Sequence, residues 1–160
     1  MSHDCVGLSC LRKRITVSKS LTTCRLKGPS HELQEKAFIR QVDLSEKTGK
    51  PMILHVVRDF DTVIRLRKQL KPTQSWLIHG YRGGPEQMEQ LHRSGLEVSF
   101  GLKYNPESLR QVPSDRLFLE TDGKGSIDAL IKKSSLIRGE SVDSIEKQLL
   151  RNNNYFLLKP

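Results

Sequence analysis

The chain has 160 residues, and its formal net charge at pH 7 is +9. This length suggests a single domain, and it is too short for a complete eight-stranded α/β barrel, which usually takes roughly 250 residues. No segment contains the ~18 consecutive apolar residues that a membrane span requires, and no secretory apolar region lies near the N-terminus. We therefore expect a protein without a membrane partner.

Residues 1–30 differ in composition from the rest of the chain. They contain six Lys and Arg residues against one acid, whereas residues 31–160 contain 21 against 17. Three interpretations stay open for this segment: a poorly ordered basic arm, an organelle transit peptide, or the remnant of a longer N-terminal half. The three cysteines, Cys5, Cys10 and Cys24, match no metal motif and are typical of free thiols in a reducing compartment, so we expect a cytoplasmic protein.

Residues 31–160 are predicted to form one α/β domain in which apolar strands alternate with helices. The strand pattern covers 51–57, 75–79, 96–101 and 116–122. Helical patterns cover 31–48, 59–70, 85–94, 127–137 and 142–151, with a short helical turn near 106–109. We expect Asn152–Asn154 to end the last helix, with the apolar residues 156–158 packing back on the domain.

The ends of the four strand patterns fall at His55, His79, Gly101 and Asp122, at nearly equal intervals along the chain. Each interval holds one crossover helix and little else, so the pattern predicts successive βα units of a parallel sheet. Either half of a barrel or a small open doubly wound sheet fits this length. In both, functional residues lie at the C-terminal ends of the strands.

Two imidazoles and a carboxylate lie at three of these four strand ends. His55, His79 and Asp122 are ligand types for a divalent ion such as zinc or manganese. A barrel gathers the C-terminal ends of its strands around one mouth, so residues distant in sequence converge there. The sequence therefore predicts that these three residues bind a metal, which would activate water for attack. His31 and Cys5 are the only spare ligand candidates upstream.

Several short motifs occur in an order and spacing that resemble a known family. They are Leu54-His55 followed by Arg58, Ile78-His79-Gly80-Tyr81 with Gly83, Ser99-Phe100-Gly101, and Asp115-Arg116-Leu117-Phe118-Leu119-Glu120-Thr121-Asp122, with Gln34 and Phe38 on the preceding helix. This set resembles the C-terminal half of the TatD family of metal-dependent hydrolases and deoxyribonucleases. The branch with "IHCVR" and "IHGFRG" signatures is the most similar. The resemblance covers residues 33–122 well and 123–160 loosely.

The resemblance implies a TIM-type (β/α) barrel, amidohydrolase-like, of which this chain holds a part that lacks the first strands. It implies one or two divalent ions (Mg, Mn or Zn) and hydrolysis of phosphodiester bonds, as in DNA, by metal-bound water. His55 and His79 would bind one ion, and Asp122 would bind the other and handle the proton of the water. Arg58 and Arg82 would lie near the mouth, where they could meet phosphate.

The chain departs from the family pattern in its first part. It has no His-x-His motif, and only Cys5-Val6-Gly7-Leu8-Ser9 resembles the Glu-x-Gly-Leu-Asp strand of the family. Gly123-Lys124 stands where the family has a small residue and proline. Two alternatives to an active hydrolase therefore stay open: a non-catalytic remnant, and a basic protein that binds nucleic acid through residues 1–30. We also expect an open edge on strand 51–57 that could promote self-association.

Overall fold

The computed structural model describes the backbone of residues 16–22 and 30–158, and the side chains of residues 30–157. Strands and helices alternate along the chain up to residue 98, and helices dominate after it. The elements are β1 (Thr16–Thr22), α1 (His31–Thr48), β2 (Met52–Val57), α2 (Phe60–Leu70), β3 (Trp76–Ile78), α3 (Pro85–Arg93), β4 (Leu96–Val98), α4 (Pro106–Gln111), a 3-10 turn (Ser114–Arg116), α5 (Ile127–Arg138) and α6 (Val142–Leu158).

The strands form one parallel sheet in the order β1-β2-β3-β4. A fifth position follows β4, where Phe100 and Leu119 form a parallel bridge. The Phe100 amide donates to the Phe118 carbonyl at 2.9 Å, and the Glu120 amide donates to the Phe100 carbonyl at 3.0 Å. The predicted strand 116–122 is thus reduced to this bridge. Each neighbouring strand is the next in sequence, which confirms the predicted series of βα units.

Strand β1 corrects one expectation. The sequence predicts an open edge on strand 51–57, but β1 pairs with β2 in parallel from Thr16↔Met52 to Thr22↔Val57. That edge is therefore occupied, and the prediction of an open edge there is wrong. Self-association loses this structural basis and stays an untested prediction. Apart from this strand, the basic segment 1–29 lies outside the described residues, so the domain boundary at residue 30 also stays a prediction.

The sheet buries its two faces against different partners. Met52, Leu54, Trp76 and Ile78 belong to the main core, which includes apolar residues of helices α1 to α6. The odd-numbered residues of β2 and β3 point to the opposite face of the sheet. There Leu77 packs with Phe118 and Phe156, and Ile53 lies against this second cluster. Burial on both faces explains why the strands read as continuous apolar runs instead of alternating patterns.

Helix α6 also differs from the prediction, because it continues without interruption through Asn152–Asn154 to Leu158. The Asn152 amide group donates to the carbonyl oxygens of Ser114 and Leu117, both at 2.8 Å, and its oxygen accepts from Gln148 at 2.7 Å. These bonds use the side chain fully, so it does not compete with the helix backbone. Phe156 is thereby carried onto the second cluster, as the sequence predicts for residues 156–158.

Candidate active site

The two predicted strand-end histidines lie side by side. The register pairs Leu54 of β2 with Ile78 of β3, so His55 and His79 come at the same height of the sheet. The His79 amide also donates to the Leu54 carbonyl at 3.0 Å, which holds the two strand ends together. His55 Nδ1 lies 2.9 Å from His79 Nε2, and the ring centroids are 4.9 Å apart.

Glu120 completes this arrangement, although the sequence pattern pointed to Asp122 instead. Its Oε1 lies 3.2 Å from His79 Nδ1, and the side chains of His79 and Glu120 are only 19% and 11% exposed. A Cβ atom on Gly80 or on Gly101 would lie 3.6 Å from the same oxygen, so the carboxylate is bordered closely by both glycines. The sequence pattern extends the strand to Asp122, and only the structure shows that pairing stops at Leu119, which makes Glu120 the residue at the strand end.

Hydrogen bonding links the three side chains in a defined direction. When Nδ1–H of a neutral His79 donates to Glu120, its Nε2 carries the lone pair and accepts from Nδ1–H of His55. Histidines that bind a metal through one ring nitrogen are commonly oriented by a hydrogen bond from the other ring nitrogen to a carboxylate. His79 is therefore held with a lone pair directed toward His55 and the mouth of the sheet.

The two imidazoles differ in basicity. The hydrogen bond to Glu120 raises the pKa of His79, since it outweighs the opposing effect of burial, and the charges of Glu120 and Asp122 act in the same direction. Burial lowers the pKa of His55, and the positive charges of His79 and Arg82 lower it further. A proton shared by the pair therefore resides on His79 before His55.

Asp122 and the two arginines lie on loops at the same end of the sheet. Asp122 is exposed, has a φ of 50°, and is close enough to act electrostatically on both histidines. Arg82 is exposed and affects the pKa of His55. Arg58 directly follows β2 with a φ of 60°, and it too is exposed. The structure thus joins His55 and His79 directly, and it places Asp122, Arg58 and Arg82 on surrounding loops.

The geometry of the histidine pair fits part of a metal site. Two nitrogen ligands of one tetrahedral ion lie slightly further apart than two hydrogen-bonded nitrogens. The observed Nδ1–Nε2 distance of 2.9 Å therefore needs only a small separation of the rings to admit an ion. Within the described part of the chain, however, no group of three or more His, Cys, Asp or Glu side chains converges to hold a metal. The pair thus supplies two ligand positions, and the assignment of Asp122 as a ligand stays a prediction.

Of the two spare upstream candidates, His31 does not supply the third position. His31 Nε2 bonds Asp59 Oδ2 at 3.1 Å and lies 3.4 Å from the Thr62 hydroxyl, at the start of α2. Cys5 and the motif-like segment 5–9 lie outside the described residues. His31 therefore links α1 to α2.

Fold and site together define a segment of a parallel α/β barrel whose polar site lies at the C-terminal ends of its strands, as in barrel enzymes. Comparison with known sequences identifies the family to which this barrel segment belongs. Residues 23–124 match the family described as TatD related DNase. This match covers more than half of the chain, so the chain belongs to the TatD family, which confirms the resemblance seen in the sequence.

Two curated relatives are similar over part of their length. The uncharacterized metal-dependent hydrolase YabD of Bacillus subtilis (strain 168) is 27% identical over 100 residues, covering 57% of this chain and 39% of YabD. The 3'-5' RNA nuclease TATDN2 of Homo sapiens is 29% identical over 111 residues, covering 63% of this chain and 15% of that protein. The chain thus spans well under half the length of either relative.

Solved structures show the same fold. YJJV, a TatD homolog from Escherichia coli K12, matches with a TM-score of 0.74 at 22% identity, covering 95% of this chain and 68% of its own. A TatD family hydrolase from Entamoeba histolytica matches with a TM-score of 0.75 at 15% identity, covering 96% and 66%. The predicted partial barrel is therefore confirmed.

No helix in the described part of the chain is long and apolar enough to cross a membrane. The cytoplasmic location stays a prediction.

Proposed function

We propose that this chain is a metal-dependent hydrolase of phosphodiester bonds, with DNA or a related polynucleotide as the substrate class. The observation that carries the proposal is the His55–His79 pair, with 2.9 Å between Nδ1 and Nε2, held at the C-terminal end of a TatD-family barrel segment. The two relatives, a metal-dependent hydrolase and an RNA nuclease, support the same chemistry.

His55 and His79 would hold one divalent ion, of which Mg, Mn and Zn are the candidates. Imidazole ligands favour zinc over magnesium, which prefers oxygen ligands. When bound, such an ion would polarise a phosphoryl oxygen and lower the pKa of bound water. Glu120 fixes the orientation of His79 through Nδ1, so that Nε2 keeps its lone pair for the ion.

The remaining residues would act on the substrate and on protons. Asp122 would take a proton from an attacking water, a role that its exposure and its closeness to both imidazoles support. Arg82 and Arg58 are exposed at the same end of the sheet and would neutralise phosphate oxygens beside the scissile bond. These roles follow from the family pattern together with the position of each residue at the strand ends.

One experiment tests the proposal directly. Wild-type chain and a His55→Ala/His79→Ala double variant are assayed for cleavage of a labelled oligonucleotide with Mg, Mn or Zn, and their bound metal is measured by mass spectrometry. We expect metal-dependent cleavage by the wild type and loss of both cleavage and metal in the variant. His31→Gln is the control, because His31 bonds Asp59 and Thr62 at the start of α2, and this variant should leave both readouts unchanged.

A second candidate is a non-catalytic member of the family. It is favoured by the finding that no three-ligand group assembles within the described residues. A wild-type chain that cleaves nothing with any of the three ions, while folding normally by circular dichroism, would support this candidate and contradict the hydrolase. Nucleic-acid binding through residues 1–30 stays a separate prediction, which deletion of that segment would test by its effect on binding.

A further inference from the structure

The loops at the C-terminal ends of the strands share a charge pattern. Four successive loops each carry one exposed cation: Arg58 after β2, Arg82 after β3, Lys103 after β4 and Lys124 after the bridged segment. Among the described residues, none of these four takes part in an ion pair. Neighbouring parallel strands are ~4.8 Å apart, so these loops follow one another closely around the mouth. Their charges are therefore free to act together on an anion.

The last two of these loops are in direct contact. A Cβ atom on Gly125 would lie 3.1 Å from Cδ1 of Leu102, so the Leu102 side chain packs against the Gly125 backbone. Gly125 also has a φ of 70°, which favours glycine at this contact. Leu102–Lys103 and Lys124–Gly125 thus form one surface, which we call the lysine ledge. Leu102 itself stays 49% exposed on it.

The lysine ledge adjoins the candidate active site. Gly101, which directly precedes it, borders the Glu120 carboxylate that bonds His79. Glu120 in turn lies shortly before Lys124 on the other loop of the ledge. A phosphodiester bound at the histidine pair would therefore have neighbouring phosphates within the region that the ledge borders, provided that the substrate is a chain of nucleotides.

We propose that Lys103 and Lys124 bind backbone phosphates of a polynucleotide beside the scissile bond. This inference rests on the proposed hydrolase function and adds to it two residues that would hold the polynucleotide beside the scissile bond. A small phosphodiester would reach the histidines without using the ledge, whereas a polynucleotide supplies a phosphate to each lysine. Such contacts carry no sequence preference and are weakened by salt, because binding releases the counterions condensed on the backbone.

The test measures binding without cleavage. Anisotropy of a fluorescein-labelled oligo(dT) of about 20 nucleotides is followed in EDTA between about 50 and 200 mM KCl. We expect the Lys103→Gln/Lys124→Gln variant to bind roughly tenfold more weakly at the lower salt concentration. Its log–log salt slope should be smaller by about 1.4, since each phosphate contact to a single strand contributes ~0.7.

A matched control removes the same charge at the opposite end of the strands. Lys50 and Lys71 precede β2 and β3, are exposed, and form no ion pair within the described residues. The Lys50→Gln/Lys71→Gln variant should change affinity by less than about twofold, because only local contacts, and not net charge, distinguish the two variants. Equal losses in both variants, or no oligonucleotide binding by the wild type, would overturn the proposal.

Two further readouts separate this inference from its alternatives. If the lysine ledge binds the oligonucleotide but the wild type cleaves nothing in the presence of metal, the proposed hydrolase is contradicted and the phosphate-binding role of the ledge stands. If the ledge variant cleaves as fast as the wild type, the hydrolase stands and the role of the ledge is contradicted. Vesicles of phosphatidylcholine and phosphatidylserine provide the other polyanionic surface. A ledge variant that loses vesicle binding while keeping oligonucleotide binding would show a membrane-binding surface and overturn the proposal.

Discussion

At the scale of single residues, the hydrogen bond between His79 and Glu120 orients the candidate site. His79 is held between His55 on one nitrogen and Glu120 on the other. Because Glu120 is nearly buried, its charge acts through little solvent and affects the imidazole strongly. A carboxylate set back from the open mouth thus decides the tautomer and basicity of the imidazole that faces it.

Replacing Glu120 by Gln tests this positioning role. The substitution keeps the side-chain shape and removes the charge that raises the pKa of His79, so that pKa should fall, as measured by NMR titration of the metal-free protein. Activity and metal affinity should drop by roughly 10- to 100-fold, as for other carboxylates that orient metal-binding histidines. Asp61→Asn is the control, since this exposed acid lies on α2 and bonds neither histidine. An unchanged His79 pKa in the Glu120 variant would contradict the role.

At the scale of elements, the helical second half is tied together by polar side chains that reach backbone carbonyls. Arg138, near the end of α5, is 5% exposed and donates to the carbonyls of Leu109 and Val112 at 2.9 and 2.7 Å. It also bonds Ser114 and Glu140. These carbonyls lie at the end of α4, where the helix itself leaves them without partners. One buried guanidinium therefore joins α4, α5 and the 3-10 turn.

We expect Arg138→Met to lower the free energy of unfolding by about 3 kcal/mol, because it leaves two partly buried carbonyls and Glu140 without their donor. Urea denaturation followed by circular dichroism measures this change. Arg110→Met is the matched control, since Arg110 is 59% exposed, pairs with Glu107 on the surface and donates to the Ile137 carbonyl over a long, exposed bond of 3.4 Å. An exposed pair of this kind contributes at most ~1 kcal/mol. Equal effects in the two variants would show that Arg138 is not a structural clamp.

At the scale of the whole molecule, the stability of the fold depends on pH through one partly buried histidine, His92. His92 on α3 is partly buried, and its Nε2 has no hydrogen-bond partner among the described residues. Burial lowers its pKa to about 4, and the nearby charge of Arg116 acts in the same direction. Protonation of this residue is therefore easier in the unfolded chain than in the folded one.

This difference predicts how stability depends on pH. His92 favours the folded state fully above pH 6.5, and its contribution is lost as pH falls from 6.5 toward about 4, because the unfolded chain binds the proton first. Between about pH 7 and pH 5 the loss should be about 1–2 kcal/mol. Urea denaturation of the wild type and of His92→Gln at both pH values measures the contribution of His92 to this loss of stability. Equal pH dependence of the unfolding free energy in the two proteins would contradict the prediction.

The sequence by itself determined the series of βα units and the pair of strand-end histidines. Apolar runs at nearly equal intervals leave room for one helix each, and parallel pairing then places His55 and His79 at one edge. Period and spacing are local properties of the chain, so they can be read without a structure. The family resemblance followed from the same positions.

Only the tertiary structure decided which groups complete the elements and the site. Glu120 meets His79, strand Thr16–Thr22 covers the edge of β2, and Asn152 continues α6 instead of ending it. Each outcome depends on a partner far along the chain: 41 residues separate His79 from Glu120, and 38 separate Ser114 from Asn152. Local propensity contains no information about such partners, because the bonds that override it form only when the sheet and helices are packed together.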